Sequence, residues 1–527
     1  MKRRNQWLVA PLGAATAAAL LSGCGSQDGS AAGDGKGVVM GISDKVKSTD
    51  PASGYDPGSW LLFNNVFQSL LSFPKGGTTP EPDAAQACNF EGGDSRVYKC
   101  TLRSGLKFSN GHSLTSKDVK FSFERTLKIN DPNGPAVMLS SISSIDAPDE
   151  KTVVFKLKTP DATFPSKIAS GAGAIVDHSE YPADKLRTDN KAVGSGVYKL
   201  DAFGEKSANF SVNDSYSGKA KAKNTGVTLK FFNGDQAGLK TVLQSGDVDF
   251  AFRGLAAKDI AGLAATKTGD NKVDVVQGTG AEVQHMVFNV SDPVVGKLPV
   301  RKAIAYLVDR EALVKDVYSG TAVPLYSIVP AGIAGHTTPF FDRYGGIPQL
   351  EKAKAVLKAA NISGKVKLTL YSTPTRYGPS TDQQFQVIAK QLNDSGLFDV
   401  DVKSVEFEQY EKDIKAGKYG VYVKGWVPDY PDADNFTQPF FGPDNVLDNN
   451  YDNKEISGTI IPSTSTKSDR TAANMDYTRL QDIVADEVPV LPLWQSKQYA
   501  VARQNVTGLQ WSLDASTVFR FWEISKG

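Results

Sequence analysis

The stretch GWVPDYPDAD (425–434) crowds three carboxylates, Asp429, Asp432 and Asp434, beside two large aromatics, Trp426 and Tyr430. Such a stretch is a candidate for presenting its side chains to something outside the core. The structural alternative is that the rings are core and the aspartates bond their own turn. Pro428 and Pro431 push the residues before them out of helix, so the segment is expected to be a rigid loop. Upstream, YGVYVKGW is β-rich, which places the loop at the end of a strand, with Gly425 where another backbone comes close.

Covalent chemistry has weaker support. Ser104 and Lys107 (S-x-x-K), Ser207 and Asn209 (S-x-N) and Lys267 to Gly269 (K-T-G) follow the order of a penicillin-recognising serine acyl-transferase. That chemistry needs serine and lysine one helical turn apart, whereas SGLK sits in the alternating run TLRSGLKF, where residues three apart point to opposite faces. A secreted serine hydrolase is thus the distant alternative. No intact G-x-S-x-G, Walker A or H-E-x-x-H occurs, and His112, His178, His285 and His336 stand apart in the chain, so neither a metal nor a cofactor is expected.

The elements that would position these residues alternate. Thr115 with Asp118 opens a helix bearing Val119, Phe123 and Leu127. Residues 238–252 read as helix, Gly246 cap, strand; 300–320 as one helix with Ile304, Leu307 and Val308 on a face; 380–396 as a helix capped by Ser380 and stopped by Gly396. Strand-like VDVKSVEF, a helix near 408–416 and the strand into GWVPDY follow. Strands alternating with helices predict mixed α/β lobes with largely parallel sheets.

The 527 residues are 40% hydrophobic and 22% charged, enough for two or three cores. Lys+Arg 59 against Asp+Glu 58 gives a net charge of +1, which supplies no field to recruit nucleic acid. The chain opens with MKRR, a mostly apolar run and Leu21-Ser-Gly-Cys24, an export signal ending in a tetrapeptide that resembles a bacterial lipobox. Residues 1–23 are then a signal peptide, Cys24 the lipidated first residue of a membrane-anchored protein, and 24–37 a flexible Gly/Ser/Asp-rich tether. The paired arginines at 3 and 4 leave the export route open. In an exported protein Cys88 and Cys100 are expected to pair, with Gly92 and Gly93 turning two strands between them.

Several segments together resemble the large extracytoplasmic solute-binding proteins of ABC importers, the peptide, oligopeptide and nickel-binding family. They are YKCTLRSGLKFSNGHSLTSKDVKFSFERTL (98–127), VGSGVYKL (193–200), MVFNVSDP with LPVRKAIAYLVDREALV (286–314), VPVLPLWQ and VTGLQW. The resemblance implies a two-lobe α/β periplasmic-binding-protein-like fold of the large class. Lobe one would comprise 38–65, an extra domain at 66–190, 191–288 and a closing segment 491–527; lobe two would be 289–490. It also implies a monomeric, non-enzymatic receptor whose partners are a peptide ligand and the permease subunits of the importer. Asp429 would hold the ligand's α-ammonium, Trp426 would wall the pocket and Gly425 would admit the ligand's backbone, with Trp494 and His285 completing the candidate set. Dipeptide binders of the family carry an arginine on the helix matching 380–392; this helix has none, although Arg376 lies just before it, which favours longer peptides. An oligosaccharide or a metal chelate is the alternative ligand within the family.

Overall fold

The computed structural model describes residues 36–265, 273–377, 380–443 and 445–527. Cys24, the signal and nearly all of the tether, and Lys267 lie outside them.

Two long strands, Val273–Phe288 and Val490–Arg503, run antiparallel through the middle of one eleven-stranded sheet. At one end Val490–Arg503 pairs with Phe250–Phe252, and the sheet continues through Val38–Ile42, Gly226–Phe231, Ser207–Val212 and Tyr198–Phe203. At the other end Val273–Phe288 pairs with Val421–Trp426, followed by Val366–Ser372 and Phe398–Ser404. The sheet therefore serves two lobes. Between the pairs Thr279–Lys497 and Val283–Gln495 the register slips, so that Gly280, Ala281 and Glu282 bulge out opposite Ser496. Such bulges re-aim side chains and bend the strand that carries them.

The expectation of largely parallel sheets is corrected. Val38–Ile42 is parallel to both its neighbours, as is Val366–Ser372, but every pairing made by the two long strands is antiparallel. Those strands carry the chain between lobes, and no sequence period reports the direction of their partners.

Each lobe has its own core. Lobe two buries Phe288, Ile304, Phe385, Leu392, Tyr410 and Leu480 in one cluster, and lobe one buries Met40, Tyr198, Phe210, Phe250, Phe519 and Phe521 in another. A third cluster, with Tyr98, Phe108, Phe123, Phe155 and Phe164, lies against a four-stranded antiparallel sheet of Ala85–Glu91, Val97–Leu102, Thr152–Leu157 and Ile142–Asp146. Cys88 and Cys100 face each other on its first two strands and form a disulfide. The fully buried pair Arg125–Asp50, bonded at 2.8 and 2.6 Å, ties this part to the start of lobe one.

Local signals explain most element ends. Thr115 and Asp118 form the capping box of the helix Ser116–Ile129, and Gly246, at φ 88°, ends Gln236–Ser245. The single helix expected over 300–320 is two, Leu298–Leu307 and Arg310–Tyr318. Asp309 causes the break: its carboxylate accepts the Ala312 N–H and caps the second helix. Ser380 is already helical in Ser380–Asp394. Among the described residues no helix is long and apolar enough to cross a membrane.

Candidate functional site

The strand Val421–Trp426 ends where the chain leaves lobe two, and the loop after it packs onto lobe one. Tyr430 is buried in the third core with Phe164 and Ile168, and the Tyr55 hydroxyl of lobe one donates to Asp429 Oδ1 at 2.7 Å. Asn435 fastens the loop from within: its Oδ1 accepts from Trp426 Nε1 and from the Asp429 N–H, both at 2.9 Å, and its amide donates to Asp429 Oδ2 at 3.3 Å.

The three aspartates have different partners. Asp432 accepts two bonds of 2.8 Å from the Arg470 guanidinium and caps the short turn after it through the Asp434 N–H. Asp434 is buried and accepts from the Tyr430 hydroxyl at 3.0 Å; burial, with Asp432 beside it, pushes its carboxyl above the usual range. Asp429 makes no ion pair among the described residues. Burial raises its pKa, and the hydrogen bonds from Tyr55 and Asn435, with Lys167 farther off, hold it back only in part. Lys167 itself is paired with Asp161 at 2.8 Å. A half-buried carboxylate thus faces a cavity with neutral donors and no cation of its own.

That cavity, about 480 Å³, lies between the lobes, with Tyr55, Met138 and Lys167 on one wall and Trp426, Asp429 and Pro439 on the other. A second interlobe cavity of about 330 Å³ begins on the far side of the loop at Val427 and Pro428 and is lined by the bulged Glu282, by Arg253 and by Tyr318, Trp494 and Tyr499. A polar end and an aromatic chamber separated by one extended loop make a cleft suited to an elongated, amphipathic solute.

The other sequence-stated residues divide. Trp426 lines the first cavity with its ring edge-on to Phe440 at 5.2 Å. Trp494 is nearly buried, donates to Gln384 Oε1 at 2.6 Å, packs against Tyr318 with the rings tilted and their centroids 4.7 Å apart, and borders the second cavity. At Gly425 a Cβ would stand 2.9 Å from the Tyr377 ring and 3.6 Å from the Val283 carbonyl, so the strand passes close to both. His285 is 2% exposed, packs edge-on against Phe440 and borders neither of these two cavities, and burial lowers its pKa to about 3. Arg376 lies over the Phe407 ring at 5.6 Å.

Ser104 stands on an exposed turn and accepts from Lys151 Nζ at 3.0 Å, with Gly105 at φ 76° next to it; Ser207 lies in the lobe-one sheet. Nothing there sets a lysine one helical turn from a serine. The fold does bring histidines to carboxylates that the linear sequence keeps apart: His112 to Asp177 at 2.7 Å and His178 to Asp118 at 2.6 Å. Burial opposes it, but the Ser179 and Asn110 hydrogen bonds hold the Asp177 carboxyl down at about 2.

Sequence reasoning missed Tyr55, Asn435 and Glu282. Asn435 follows Asp429 by six residues in the same polar run and was within reach of a turn argument; Tyr55 is 374 residues from its partner, and Glu282 owes its position to a bulge.

Comparison with known proteins agrees with this architecture. Residues 79–448 match the family model described as bacterial extracellular solute-binding proteins, family 5 middle. The chain is 27% identical over 509 residues to the probable D,D-dipeptide-binding periplasmic protein DdpA of Escherichia coli, covering 93% of this chain and 94% of that one. It is 25% identical over 478 residues to heme-binding protein A of Haemophilus influenzae, covering 84% of each. The solved structure of HbpA2 from Haemophilus parasuis superposes with a TM-score of 0.82 at 21% identity, covering 93% of this chain and all of that one. The chain belongs to the bacterial extracellular solute-binding proteins of family 5, which are binding proteins and not enzymes.

Proposed function

We propose that this protein is the receptor of a peptide ABC importer, anchored to the membrane by lipid on Cys24, and that it binds peptides by their free amino terminus. The observation that carries this reading is Asp429, an interlobe carboxylate supplied with two neutral donors and, among the described residues, no ion pair. A ligand α-ammonium is the missing partner: it would form a charge-assisted hydrogen bond with a carboxylate that is already partly desolvated. The dipeptide-binding name of DdpA supports the same ligand class. Arg376 on the Phe407 ring, rather than an arginine on the following helix, favours peptides longer than two residues.

Calorimetry on the mature protein tests it with a free tetrapeptide, its N-acetylated form and hemin. Binding of the free peptide alone supports the reading; hemin binding with no peptide binding overturns it.

A further inference from the structure

The second interlobe cavity holds a carboxylate that the amino-terminus reading leaves unused. Glu282 sits in the bulge Gly280–Glu282, at the point where the long strand passes from one lobe to the other. It makes no hydrogen bond or ion pair among the described residues, yet it borders a chamber of about 330 Å³. Its surroundings are aromatic. Tyr318 and Trp494 both spend their polar ends on one acceptor, Gln384 Oε1, at 2.8 and 2.6 Å, which fixes both rings and leaves the cavity side of each free of a hydrogen-bond demand. Tyr499 is a third aromatic neighbour.

The charges around Glu282 do not cancel it locally. Arg253 lies on the same cavity, but its Nε is ion-paired with Asp44 at 2.7 Å, so two carboxylates share one guanidinium. Lys497 turns its ammonium onto the Gly320 carbonyl at 3.0 Å. Aromatic walls with a surplus carboxylate form the arrangement that recognises an alkylammonium or guanidinium group, through cation–π contact and a charge-assisted hydrogen bond.

Resting on the peptide reading above, we propose that Glu282 determines specificity in this cleft, receiving a lysine or arginine side chain from one of the first two residues of the bound peptide. The shared cavity supports that placement. Val283 is the last residue paired with the strand leading to Asp429, opposite Trp426, and Val427 borders the same cavity as Glu282, two residues from Asp429 and an extended span of about 7 Å. A lysine side chain anchored near Asp429 covers that distance. Burial raises the Glu282 pKa, opposed by Arg253 and aided by Asp44, which agrees with a carboxyl awaiting a counter-ion.

The test compares tetrapeptides carrying lysine or norleucine at position one or two, titrated calorimetrically into the wild type, Glu282→Gln and Asp429→Asn. Norleucine keeps the alkyl chain and removes the charge. The wild type should prefer lysine at one of the positions by about tenfold, a modest value for a partly desolvated charge pair. Glu282→Gln should erase that preference without weakening the norleucine peptide, while Asp429→Asn should weaken both peptides and keep the preference. Equal wild-type affinity for lysine and norleucine at both positions overturns the inference while the peptide reading stands; so does a preference that survives in Glu282→Gln. Should no peptide bind the wild type, both fall together. The wild-type comparison alone decides the matter if Glu282→Gln does not fold.

Discussion

Tyr55, near the start of lobe one, donates its phenol to Asp429 of lobe two at 2.7 Å, across 374 residues of chain. The bond puts the proposed ligand-binding carboxylate at the junction of the lobes, and it lowers a pKa that burial raises. Tyr55→Phe removes that restraint. The Asp429 pKa then rises further, and because only the carboxylate pairs with an ammonium, peptide affinity should fall off at a higher pH in Tyr55→Phe than in the wild type. Titrations from pH 5 to 8 read the shift; superimposable pH profiles would show that the phenol does not tune the carboxylate.

His285 provides a separate pH signature. Its folded pKa is depressed by burial to about 3, below the unfolded value near 6.5, so the unfolded chain takes up a proton that the folded one refuses. Stability from this residue is complete above the unfolded pKa and declines as pH falls, by up to about 1.4 kcal/mol per unit. His285→Leu should flatten the loss between pH 6.5 and 5 while leaving peptide affinity at pH 7.5 unchanged. Denaturant melts and calorimetry check the two halves, and a large loss of affinity would return His285 to the binding site.

The Cys88–Cys100 disulfide closes a short loop, with 12 residues of sequence separation, and in the chain-entropy model contributes roughly 3 kcal/mol. A double Cys→Ala variant should therefore melt earlier with its peptide affinity intact. Two free thiols titrating in the unfolded, non-reduced wild type would contradict the bond.

Arg125 and Asp50 are 2% and 1% exposed as side chains, and breaking such a pair leaves one buried charge unpaired at a cost of about 3–5 kcal/mol. Arg125→Met should lower the denaturation midpoint strongly, and adding Asp50→Asn should restore part of the loss. The exposed pair Arg479–Glu455 should give no measurable shift when broken.

Local signals were legible in the sequence wherever a short-range rule applied. Thr115 with Asp118, Gly246, and the hairpin joining Cys88 to Cys100 each follow from residues a few positions apart. The loop of Asp429 was found by composition and by the prolines that stiffen it. Long-range facts were not legible. Asp309 looked like one more polar position on a continuous helix until its capping bond divided it. Gly425 signalled a close approach but not that Tyr377 lies beside it, and His285 gave no sign that its strand is buried on both faces from Val283 to Phe288. Glu282 enters a cavity because three residues oppose one at the lobe crossing, a register irregularity that no periodicity encodes.

The central claim is that Asp429 holds a ligand's amino terminus. Its most direct test is a four-way calorimetric cycle of wild type and Asp429→Asn, each with a free peptide and its N-acetylated form. Removing either partner should cost about 2–5 kcal/mol, the usual loss when a desolvated charge pair is broken. Removing the second should add little, since the first change has already abolished the contact. Two losses that simply add would contradict the account, because Asp429 and the amino terminus would then be acting independently.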